Sequence, residues 1–120
     1  MIQAARVYDR SRTESGAKAF CFLVERLWPR GMKKESLKLN GWLREVAPSG
    51  ALRKWYGHKV ERWPEFRKRY LAELRKNPEA WQPLLDAARH GDVTLLYSAR
   101  DTEHNSAVVL REFLNSKLKR

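Results

Sequence analysis

Cysteine is almost missing from this chain. Cys21 stands alone among 120 residues, so no internal disulfide can form. It lies in the apolar run Ala19-Phe20-Cys21-Phe22-Leu23-Val24, where a thiol serves as a small apolar residue; a nucleophilic role is the second reading. Glycine is sparse as well. The six glycines are scattered and form no glycine-rich loop, which excludes ordinary P-loop or dinucleotide binding. One cysteine and the widely separated His58, His90 and His104 fit no zinc spacing. No cofactor is therefore expected. No apolar run approaches the roughly 20 residues of a membrane span. The N-terminus lacks the apolar core of a signal peptide. The expectation is a cytoplasmic protein with no membrane contact.

Acidic residues are the other shortage. Fourteen Asp and Glu face 25 Lys and Arg, a net charge of +11. A basic protein of this size attracts nucleic acid or small anions. A solvated basic surface explains the same number. The charges run along the whole chain and are densest at Arg67-Lys68-Arg69 and Lys117 to Arg120. Apolar residues make up 42% and no low-complexity run occurs, so one folded domain spans residues 1–120.

Gln3 to Tyr8 reads as a first strand and Asp9 to Lys18 as a loop. Ala19 to Glu25, almost wholly apolar, suits a central strand covered on both faces. Trp28-Pro29 breaks it. Leu39, Trp42, Leu43 and Val46 keep helical spacing, but Gly41 leaves that segment open. Ser49 and Gly57 bracket a short helix. A second helix covers Pro64 to Lys76, and a third follows Asn77-Pro78 with Trp81, Leu84, Leu85 and Ala88 as its stripe. Asp92 to Tyr97 is the next core strand. The last helix is predicted from Thr102 to Lys117, capped by Asp101 or Thr102. Strands separated by helices imply a single small layered α/β domain. Its sheet of three to four strands is mainly parallel. The short Asp9–Lys18 loop leaves room for an antiparallel first pair, hence a mixed sheet.

If the two core strands are parallel neighbours, their carboxyl ends share an edge, where α/β proteins bind ligands. That edge gathers Glu25, Arg26, Trp28 and Arg30 from one junction. The other supplies Tyr97, Ser98, Arg100, Asp101, Glu103, His104 and Asn105. Arginine forks and helix N–H groups suit phosphate or carboxylate oxygens. Arg26, Arg30 and Arg100 are the anion candidates, with Ser98 and Asn105 as further ligand contacts. Trp28 and Tyr97 are candidates for packing or stacking on a planar group. His104, with Asp101 or Glu25, would carry proton transfer. Each has a structural alternative. Asp101 is a natural helix cap, His104 an ordinary surface residue, Glu25 a partner for a nearby arginine and Trp28-Pro29 a packed turn. Ser98 occupies the place of a hydrolase nucleophile but lacks flanking glycines. Leu52-Arg53-Lys54-Trp55-Tyr56-Gly57-His58 interleaves cations with aromatics, as in single-strand nucleic-acid binders; Leu52, Trp55 and Tyr56 also form one apolar helix face.

These segments together resemble the YeaO-like family of uncharacterised bacterial proteins, a branch of the domain of unknown function 488. The matching stretches are Glu25 to Gly31, Pro48-Ser49 with Leu52 to Trp55, Phe66 with Arg69-Tyr70, and Thr94 to Asn105. The chain departs from the family pattern at Glu25, usually Asp, and at Arg100, usually Lys. The resemblance implies a single α/β domain and carries no assigned reaction.

The sequence thus reads as a small α/β protein with a strand-end anion-binding cleft, acting on a phosphorylated or nucleotide-like small molecule. Phosphate, nucleotide and carboxylate are the partner classes. The alternative is a nucleic-acid-binding or regulatory module that uses the basic surface without catalysis, with non-specific affinity. A third reading makes the arginines members of structural ion pairs. The oligomeric state stays open.

Overall fold

The computed structural model describes residues 1–9 and 19–119. Strands β1 (Ile2–Arg6), β2 (Ala19–Leu23), β3 (Gly41–Trp42) and β4 (Asp92–Tyr97) form one four-stranded sheet in the order β1-β4-β2-β3. Helices α1 (Gly50–Tyr56), α2 (Trp63–Arg75), α3 (Pro78–Ala88) and α4 (Ser106–Leu118) complete the α/β layer architecture.

All the pairings are parallel, with Ala4 opposite Leu95, Phe22 opposite Leu95 and Leu23 opposite Trp42. The expected antiparallel first pair does not form. β4 lies between β1 and β2, so those strands never meet and no tight hairpin is needed. β1 is also shorter than expected, because Val7–Asp9 turn into a 3-10 helix. The rest of the Asp9–Lys18 loop lies outside the described residues.

The continuous apolar run of β2 is explained by the layers. Phe22 and Val24 join the helices, together with Ile2, Val93, Leu95 and Tyr97. Cys21 and Leu23 join Val7, Leu37 and Leu96 on the other face, where Trp28, Met32 and Trp42 pack. Both faces are dry, so alternation is lost. Gly41 weakened a helix in sequence and here allows close approach instead. A Cβ at this position would sit 3.2 Å from the Phe22 ring. The Leu39–Val46 segment is accordingly a short edge strand and a turn.

The helix signals mostly hold. Ser49 accepts from the Leu52 N–H, and Gly57 closes α1 at φ 54°. Phe66, Tyr70 and Leu74 are the buried positions of α2. The Tyr70 hydroxyl donates a hydrogen bond to the Val46 carbonyl at 2.5 Å, pinning the loop before α1. α4 is the exception. It starts at Ser106, capped by Asn105, not at Thr102. Asp101 instead accepts from the N–H groups of Glu103 and His104 and folds the turn that precedes the helix.

Candidate functional site

Leu23 of β2 and Leu96 of β4 are register partners, so the two strands end side by side. Their continuations part. β2 leads into the connection that covers the second face, whereas β4 leads into α4 on the first. Neighbouring parallel strands whose connections diverge leave a crevice at their carboxyl ends. An open cleft of about 1160 Å³ lies there. Val24, Glu25 and Ser98 form its sheet side. α1 and the following turn contribute Arg53, Lys54, Tyr56 and His58, and the β4–α4 loop contributes Arg100, Asp101, His104 and Asn105.

Glu25 is held by the exit of the neighbouring strand. Its carboxylate accepts from Ser98 Oγ at 3.1 Å and from the Ser98 N–H at 3.4 Å. Its own carbonyl accepts from Trp42 Nε1 at 2.7 Å. Burial raises its pKa above the usual carboxylate value; the Ser98 bonds and the nearby Arg53 and His58 counter only part of that rise.

Asp101 sits in the opposite environment. Two backbone N–H groups and His104 Nδ1, each at 2.9 Å, hold its pKa below the usual value. An ionised carboxylate only accepts, so the bonded Nδ1 of His104 carries a proton. Trp63 packs edge-on to this imidazole at 5.2 Å. Asn105 is buried; its Oδ1 accepts from the Val108 N–H at 3.0 Å and its Nδ2 donates to the Asp101 carbonyl at 2.9 Å.

The structure thus brings Glu25, Arg26, Ser98, Arg100, Asp101, His104 and Asn105 to one cleft. Arg26 is already occupied: Nε donates to the Pro48 carbonyl and a terminal nitrogen to the Ala47 carbonyl, at 3.1 and 3.2 Å. Arg100 is exposed and has no ion pair among the described residues. Trp28, Arg30 and Tyr97 do not line the cleft. Trp28 donates to the Met32 carbonyl and packs edge-on to Trp42 on the second face. Arg30 is exposed, and its carbonyl accepts the Tyr8 hydroxyl. Tyr97 points into the helical core, where burial raises its pKa.

Arg53, Lys54 and His58 also line the cleft, although the sequence offered them only as a helix face or nucleic-acid contact. Their signal was present in the 52–58 segment. Its placement beside Glu25 depends on the packing of α1 against α2 through Tyr56 and Phe66, whose rings stack at 4.5 Å. Among the described residues, no three His, Cys, Asp or Glu side chains cluster as metal ligands. Among the described residues, no helix is long and apolar enough to cross a membrane.

A family model described as the inactive DUF488-N3 subclade matches residues 1–120. The uncharacterised protein YeaO of Escherichia coli is 44% identical over 115 residues, covering 96% of this chain and 97% of that protein. Uncharacterised proteins of Mycobacterium bovis and Mycobacterium tuberculosis are each 34% identical over 116 residues, covering 97% of this chain and 95% of their own. No solved structure matches significantly. Matched along its whole length, the chain belongs to the DUF488 family, as a YeaO-like member of its inactive N3 subclade.

Proposed function

We propose that the cleft binds a small anionic ligand, phosphorylated or nucleotide-like. One observation carries this reading. Arg53, Lys54 and Arg100 line the same cleft and form no ion pair among the described residues, while its two carboxylates are satisfied elsewhere. Glu25 is held by Ser98, and Asp101 by the following turn and His104. Among the described residues, neither Glu25 nor Asp101 pairs with an arginine; of the anion candidates Arg26, Arg30 and Arg100, Arg26 alone has an ion pair, with Glu45 at 3.4 Å. Convergent cations in a concave site suit phosphate oxygens better than a flat basic surface does. On the surface outside the cleft, Arg67 pairs with Glu112 at 2.7 Å.

Proton transfer on the bound ligand is a second reading, carried by the 2.9 Å bond that orients His104 on Asp101. The description of the family as inactive weighs toward binding without turnover. The test is thermal unfolding with inorganic phosphate, pyrophosphate and nucleoside monophosphates. A ligand of the native state raises Tm with concentration. Phosphorylated probes should do so for the parent chain and much less for Arg100→Ala and the Arg53→Ala/Lys54→Ala double variant. No response to any phosphorylated probe overturns the reading.

A further inference from the structure

Cationic side chains do not account for the whole lining of the cleft. Its sheet side carries the Glu25 carboxylate, close enough to Arg53 and His58 to feel their charge, and a phosphate in direct contact with it would be repelled. Glu25 lines the cleft, and each of its oxygens takes one hydrogen bond from Ser98. A carboxylate oxygen accepts two, so each keeps a second lone pair. Ser98 Oγ spends its proton on Glu25, and the Glu25 backbone is held by Trp42 Nε1. The carboxylate is therefore positioned in advance, with accepting capacity left. His104, whose Nδ1–H is given to Asp101, lines the same cleft. Apolar groups from Val24, Tyr56 and Phe66 line the space beside them.

We infer that the ligand is bifunctional: a phosphate group met by Arg53, Lys54 and Arg100, and a hydrogen-bond-donating N–H group met by Glu25. This rests on the anion reading and narrows it. Phosphorylated amines and nucleotides with donor N–H pairs, such as guanine nucleotides, share the required chemistry. Inorganic phosphate, alkyl phosphates and bases that present acceptors do not. A ligand that lacks the donor and displaces water from Glu25 leaves the carboxylate with the Ser98 bonds alone, which weakens binding. The raised pKa of Glu25 reports the same desolvation. Binding such a donor returns to the carboxylate part of the solvation it lost on folding.

Matched pairs of probes test this by calorimetric titration. Phosphoethanolamine and ethyl phosphate differ in one ammonium group; GMP and purine riboside monophosphate differ in the N1–H and amino donors of the base, together with O6. In at least one pair the donor-bearing member should bind about tenfold tighter or more, as expected for a charged hydrogen bond. The pair that shows the preference identifies a small phosphorylated amine or a nucleotide. Glu25→Gln, which keeps the side-chain volume, should bring the two members of that pair within about twofold of each other. Equal binding of both members of both pairs to the parent chain overturns the inference and leaves the anion reading standing. A preference that survives intact in Glu25→Gln overturns the role of Glu25. No binding by any of the four overturns the anion reading and this one with it. The comparison on the parent chain needs no variant, so a poorly folding Glu25→Gln does not decide the matter.

Discussion

Ser98 Oγ donates to Glu25 Oε1 at 3.1 Å, joining the exits of two strands that lie 73 residues apart in sequence. The bond orients the carboxylate without neutralising it. Burial is the largest influence on Glu25 and raises its pKa above the ordinary value of 4.5.

That shift fixes a pH dependence. Between 4.5 and the raised native value, the folded chain holds a proton that the unfolded chain has released. The contribution of Glu25 to stability is fully present below this window and is lost as pH rises through the native pKa. Glu25→Gln removes the titration. Its Tm should therefore gain on that of the parent chain as pH rises across the window. Parallel Tm profiles for the two chains would mean that Glu25 is solvated like a surface carboxylate.

Arg26 and Arg100 should behave differently despite sharing the cleft. Arg26 ties the Ala47 and Pro48 carbonyls to the exit of β2. Truncating it leaves partly buried acceptors unmet, and Arg26→Ala should cost about 1–3 kcal/mol in urea unfolding. Arg100 is exposed and unpaired among the described residues, so Arg100→Ala should stay within about 0.5 kcal/mol of the parent. A large loss for Arg100→Ala would make it a structural residue and remove it from the anion site.

The layer order was readable wherever period and caps were strong. Ala19–Val24 and Val93–Tyr97 are core strands because apolar runs, here broken only by Thr94, need cover on both faces. Asn105 was harder to place. Asp101, Thr102 and Asn105 all have capping chemistry, and only the path of the loop decides which one closes the helix. Trp28 and Arg30 were placed at the site by their nearness to Glu25 in sequence. Past Arg26 the chain turns to the second face, and Trp42 takes up Trp28 there. Arg53 and Lys54 reach the cleft through helix packing, a long-range relationship that no local pattern encodes.

The net charge of +11 predicts a second, weaker behaviour. Any affinity for nucleic acid should be insensitive to sequence and fall steeply with salt, since neutralised phosphates release counterions. Fluorescence anisotropy with unrelated oligonucleotides at two salt concentrations checks this. Tight, sequence-selective binding that persists at high salt would favour the nucleic-acid module over the small-ligand cleft.

Tyr70 tests how firmly the loop before α1 is held. Its hydroxyl donates to the buried Val46 carbonyl, and burial raises its pKa far above the usual phenol value. Tyr70→Phe keeps the ring packing and orphans that carbonyl. The expected loss is about 1–3 kcal/mol by denaturant unfolding. A neutral result would show that water or a loop shift satisfies Val46.

Asn105, which also hydrogen-bonds Tyr97, couples the cleft to α4 through two further bonds. Oδ1 caps the helix at the Val108 N–H, and Nδ2 holds the Asp101 carbonyl. Asn105→Ala loses all of them and should destabilise by about 1–2 kcal/mol or more, the upper range for a lost cap. Asn105→Asp keeps an accepting oxygen at a helix N-terminus, where negative charge is favourable. It cannot donate to Asp101, however, so the turn carrying Arg100 and His104 loses its anchor. Asn105→Asp should then retain more stability than Asn105→Ala yet show a weakened Tm response to phosphate. If Asn105→Asp responds to phosphate like the parent chain, the anchor to Asp101 has no part in shaping the cleft.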